Sequence, residues 1–110
     1  MKRLIRETFP EEPNVAVRVA ELENGFRMTQ SNLRYTKDRP EYGVKQGDRE
    51  LSFCMFQIHE PAHKNTIAKH GLHDYKTNVE SCVKIARIVY EQAGNSFSPW
   101  TVYRKYIAMR

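Results

Sequence analysis

"VAVRVAELENGF", residues 15–26, reads as a short amphipathic helix with a carboxylate on its apolar side. Ala16, Val19, Ala20 and Glu23 fall at the i, i+3, i+4, i+7 spacing of one face, while Glu21 lies with Arg18 on the polar side. The spacing predicts a helix from about Asn14, a capping side chain, to Asn24, with Gly25 as the left-handed stop. Glu23 then sits in the last turn, where partial desolvation and the negative end of the helix dipole both disfavour its ionised form. A carboxylic acid still protonated near neutral pH is what general-acid cleavage of a glycosidic bond requires. The plainer reading of the same residue is a helix-border Glu that reaches solvent or pairs with Arg27.

Downstream of this helix the apolar periodicity fades from Met28 to about Leu51. Asp38, Pro40, Gly43, Gly47 and Asp48 break the chain into short pieces such as "LRYT" and "EYGV", which predicts a small irregular β-ribbon. The run "LSFCMFQI", residues 51–58, is the most apolar of the region; it is expected to be buried, as a strand end or a helix. "PAHKNTIAKHG" follows as a helix from Pro61 to a stop at Gly71. Thr77 and Glu80 form a T-x-x-E capping box, and Val79, Cys82, Val83, Ala86, Val89, Tyr90 and Ala93 make one apolar stripe, which predicts a core helix ending at Gly94. Ser98 and Pro99 open a last helix carrying Trp100, Tyr103 and Tyr106 at threes. The fold class expected is α+β, predominantly helical, with the β-ribbon beside the helix that carries Glu23.

The 110 residues, 40% of them apolar, suffice for a single domain over residues 1–110 and leave no room for a second. Eighteen Lys and Arg against thirteen Asp and Glu give a net charge of +5, which suits a polyanionic partner: nucleic acid, an anionic membrane surface or a bacterial cell wall. "MKRLIRETFPEEP" has no apolar core of signal-peptide length and no run approaches a membrane span, so the reading is a chain without its own export signal and without membrane insertion. The basic patches "KRLIR" and "YRKYIAMR" are either solvated ends or a means of holding an anionic surface. Cys54 and Cys82 are too few for a disulfide framework and too far apart for a metal knuckle; reduced packing residues are expected, with a single bridge as the other possibility. His59, His63, His70 and His73 cluster within fifteen residues, but Pro61 interrupts the H-x-x-x-H pair and no H-E-x-x-H occurs, so neither a metal nor any other cofactor is expected.

Three segments in order resemble the lysozyme-like superfamily, most closely its soluble lytic transglycosylases and phage lysozymes (endolysins). Glu23-Asn24-Gly25-Phe26 is similar to the family's E-S-x-F at a helix end, Ser52 to Ile58 ("SFCMFQI") to its S-Y-G-L-F-Q-I, and "TNVESCVKIARIVYEQAGNSFSPWTVY" to its later helix, Gly break and W-x-x-Y segment. The resemblance spans about residues 15–106 and implies a lysozyme-like fold with Glu23 as general acid and base on the bond between N-acetylmuramic acid and N-acetylglucosamine. Asn24 stands where the family has Ser and would hold Glu23 through its amide; Cys54 stands where it has Gly, which bears on a backbone angle or a close sugar approach.

The resemblance further implies a peptidoglycan-cleaving, monomeric enzyme that needs no cofactor. It would be made in the cytoplasm and reach the cell wall after holin release, or as a virion or secreted component. Ser52, Gln57, Asn24 and Tyr103 are the expected substrate-binding residues. Trp100 is assigned to the core, while Tyr35, Tyr42 and Tyr90 are further aromatics able to stack on sugars. The "SFCMFQI" segment supplies no second carboxylate, although Asp48 and Glu50 lie just upstream and Asp38 and Glu41 lie in the ribbon. Lytic transglycosylases work without one, using the muramoyl C6 hydroxyl to leave a 1,6-anhydro sugar, and Ser52 at this place leans the reading to that product ahead of hydrolysis. Two other readings stand beside the enzyme: a basic helical nucleic-acid-binding domain, which no helix-turn-helix or RNP-like aromatic pair supports, and an inactive lysozyme-like glycan-binding domain.

Overall fold

The basic N-terminal patch keeps Lys2, Arg3 and Arg6 exposed, yet it is not a loose end. In the computed structural model, which describes residues 1–108, Lys2–Thr8 form a helix, α1, that turns Ile5 inward and delivers Phe9 to the core, both fully buried. The sequence hides this helix because its apolar residues are few and its charges dominate. The next helix, α2, runs Pro13–Asn24 with Pro13 in its first turn, so Glu12 and not Asn14 precedes it; Pro at the first position loses no helical hydrogen bond. It ends as expected at Gly25 in the left-handed conformation, φ +56°, whose N–H donates to the Glu21 carbonyl.

The expected ribbon is mostly irregular. Between α2 and residue 51 only isolated bridges, Arg34 with Arg49 and Arg39 with Val44, and a 3₁₀ turn at Pro40–Tyr42 appear among the described residues. Its backbone is held instead by scattered bonds such as Ser31 N–H to the Ser52 carbonyl and Glu50 N–H to the Leu33 carbonyl. The regular sheet lies within "SFCMFQI" and its next residue: β1 (Ser52–Phe53) pairs antiparallel with β2 (Ile58–His59) across a buried turn, Cys54 to Gln57. Helix α3 (Glu60–Lys69) and a 3₁₀ turn (His73–Lys76) lead to α4 (Val79–Gln92), whose cap is Asn78, not Thr77: the Asn78 side chain accepts from Ser81 N–H. The final helix shrinks to a π-helical turn, Tyr103–Ile107. The result is a compact α+β domain, about half helical, with a two-stranded sheet. No helix among the described residues is long and apolar enough to cross a membrane. Met109 and Arg110, the end of the basic patch "YRKYIAMR", lie outside the described residues.

An aromatic chain joins the layers. Phe9 packs edge-on to Tyr90 of α4 at 5.2 Å and tilts on Phe97, also at 5.2 Å; Phe97 then meets Trp100, and Trp100 meets Phe56 of the turn. The buried indole N–H of Trp100 donates to the Phe56 carbonyl at 2.8 Å, which satisfies both groups. The two cysteines are not reduced packing residues. Cys54 and Cys82 form a disulfide that ties the turn to α4 across 28 residues. Sequence spacing alone gives no sign of the pairing, because nothing local shows that α4 lies behind the turn.

Closing a loop of this length restricts the unfolded chain, so replacing both cysteines with Ser is expected to lower stability by about 2–5 kcal/mol. Urea unfolding of the variant, beside the oxidised and the reduced wild type, checks this. Equal midpoints for all three would contradict it.

Candidate functional site

Glu23 leaves the apolar face of α2 at the edge of an open groove of about 1180 Å³. Its helix neighbours Ala16, Val19 and Ala20 are fully buried, so its carboxyl is held partly out of water. Burial is the larger cause raising it and the nearby Glu50 charge is the second; together they push its pKa from 4.5 up to about 7. The other reading, an ion pair with Arg27, is not what the structure has: the Arg27 guanidinium bonds the Asn24 carbonyl at 3.2 Å.

The groove brings together three of the other four residues expected there. Ser52 lines it, 3% exposed, and its hydroxyl donates to Glu50 Oε1 at 2.8 Å. Asn24 lines it too, but its amide does not hold Glu23; it donates to the Arg27 carbonyl and to both Oγ1 and the carbonyl of Thr29. Gln57 donates to that same Thr29 carbonyl at 2.9 Å and to the Cys54 carbonyl at 2.7 Å. Thr29 O is thus the knot between the end of α2 and the turn. The Gln57 amide nitrogen is spent on this, which leaves its carbonyl oxygen to face a ligand. Tyr103 is not among the groove-lining residues: half-buried, it packs on Phe97 at 6.0 Å, and Trp100 and Tyr106 line the groove in its place.

Cys54 has φ +65° and Gln57 φ +49°, the left-handed region where L side chains are strained. A Gly would adopt this angle freely; here Cys54 adopts it, with the disulfide and the Gln57 bonds fixing it. Glu50, His59 and His63 also line the groove. Glu50 lies two residues before Ser52 in an extended segment, so the two share a side, a signal visible in the sequence. His59 takes part in a 2.9 Å hydrogen bond with the Tyr35 hydroxyl, which itself accepts from Leu51 N–H, and it meets Tyr42 edge-on at 5.0 Å. Burial lowers the pKa of both histidines, with Glu50 opposing it at His59 and the neighbouring His59 adding to it at His63. Together with Tyr35 and Tyr42 they form an aromatic wall of the groove. Among the described residues no cluster of three or more His, Cys, Asp or Glu is placed to hold a metal ion.

No protein-family model matches the chain, and no curated protein and no solved structure matches it significantly.

A carboxyl whose pKa is higher folded than unfolded favours the folded state when protonated. Stability from Glu23 is therefore greatest below about pH 4.5 and declines as pH rises towards about 7. Glu23→Gln is expected to melt above the wild type at pH 8, by on the order of 1 kcal/mol because groove water screens the charge, and to match it near pH 4. Calorimetry at the two pH values tests this; an equal offset at both would be contrary to it.

Proposed function

We propose that the chain is a glycosidase of lysozyme-like fold that cleaves peptidoglycan between N-acetylmuramic acid and N-acetylglucosamine, with Glu23 as proton donor. The observation that carries the reading is the Glu23 carboxyl, half-withdrawn from water at the edge of a long groove and protonated up to about pH 7. The groove exceeds the roughly 300–1,000 Å³ of a small-molecule pocket, and its walls mix aromatic faces with hydrogen-bonding groups, as an oligosaccharide requires. Arg34, Arg39, Arg104 and Lys105 line the groove together with Glu23 and Glu50, so the glycan reading is preferred to nucleic acid on the half-buried Glu23 carboxyl and not on the groove's charge.

In this account the glycan lies along the groove with the linking oxygen beside Glu23. Proton transfer from Glu23 to that oxygen lets the muramoyl C1–O bond break, and the ring carries the charge as an oxocarbenium-like species. The resulting Glu23 carboxylate, in a poorly hydrated place, steadies that cation. The Gln57 carbonyl oxygen faces an acetamido N–H, and the net charge of +5 draws the chain to an anionic wall.

Purified sacculi incubated with the protein should release soluble muropeptides, and Glu23→Gln should slow release by about 10²–10⁴-fold. The rate should fall about tenfold per pH unit above about pH 7, as Glu23 gives up its proton. Undiminished release by Glu23→Gln would remove Glu23 from the chemistry.

A further inference from the structure

The groove holds a second carboxylate that the "SFCMFQI" segment lacks. Glu50 lies two residues before Ser52, lines the same groove as Glu23, and is half-buried. Its backbone is fixed on both sides: its N–H donates to the Leu33 carbonyl at 2.8 Å, and its carbonyl accepts from Gln30 Nε2 at 3.2 Å. Its side chain is fixed as well, because the buried Ser52 hydroxyl donates to Oε1 at 2.8 Å. The Arg49 guanidinium beside it in sequence turns away to the carbonyls of Ser31 and Gln30, so the neighbouring cation does not neutralise it through a direct bond. Half-buried, bonded by a hydroxyl and by no cation among the described residues, this carboxylate is placed to serve a groove-bound reaction.

We propose that Glu50, positioned by Ser52, activates the water that attacks the muramoyl C1, so that the enzyme is a hydrolase and not a transglycosylase. This rests on the glycosidase reading above and corrects the product that Ser52 alone suggested. The step balances as follows. Glu23 gives its proton to the linking oxygen as the C1–O bond breaks; water adds its oxygen to C1 and passes one proton to Glu50 Oε2, leaving a reducing-end hydroxyl. Glu50 then returns its proton to solvent and Glu23 takes one back, so one water is consumed per bond. Ser52 keeps Oε1 engaged, so Oε2 is the oxygen left to take the proton.

The test is digestion of purified sacculi in ¹⁸O-enriched water, with mass spectrometry of the muropeptides, for the wild type, Glu50→Gln and Ser52→Ala. The wild type should give reducing muramoyl ends that carry the label. Glu50→Gln should lose about 10²-fold or more of the labelled product and shift the remainder towards anhydro ends, formed when Glu23 alone deprotonates the C6 hydroxyl. Ser52→Ala should lie between the two. Anhydro ends from the wild type, or labelled product from Glu50→Gln at the full rate, overturn the role of Glu50 while leaving Glu23 in place. No cleavage by the wild type overturns both. The isotope result needs no variant, so it stands even if Glu50→Gln fails to fold.

Discussion

Four residues, Cys54 to Gln57, hold the molecule's parts in register. Two of them occupy left-handed backbone, each costing on the order of 1–2 kcal/mol, and they are kept there by bonds from several directions. The disulfide fixes Cys54 to α4, the Trp100 indole donates to the Phe56 carbonyl, and Gln57 reaches across to Thr29. Because Thr29 also takes a bond from Asn24, the helix end that carries Glu23 and the hairpin that carries Ser52 move as one body. Loosening the turn would free both walls of the groove at once.

The site itself works against stability. Burial of Glu23 on an apolar helix face, and then the nearby Glu50, penalise its charge, and the negative end of the helix acts in the same direction. Elsewhere the chain pairs its buried or partly buried polar groups well. Arg87 takes both oxygens of Glu11 at 2.7 and 2.8 Å, and the Tyr75 and Tyr90 hydroxyls donate to Glu60 and Glu12. Against this background the two carboxyls that share the groove stand apart, and they are the groups on which the proposed chemistry rests.

Much of this was legible in the residues, for identifiable reasons. The i, i+3, i+4, i+7 pattern placed Glu23 on the apolar face, Gly25 marked the helix stop, and the stripe from Cys82 to Tyr90 marked α4. What stayed hidden depends on contacts distant in sequence. Helix α1 is short and charged, so its two inward residues carry no periodic signal. The cystine links a turn to a helix whose relative placement only the fold defines. Asn78 displaced Thr77 as cap because both are good caps in adjacent positions and local pattern does not rank them. Tyr103 packs on Phe97 while Tyr106 lines the groove, and Glu50 meets Ser52 in a stretch without regular strands, placements that only the folded chain defines.

The central claim is that one carboxyl keeps its proton near neutrality inside the groove and is therefore able to give it away. A site-resolved ¹³C NMR titration of the Glu23 side-chain carboxyl measures this directly. A midpoint near 7 is the result predicted, and a midpoint at the ordinary 4.5 would contradict the account.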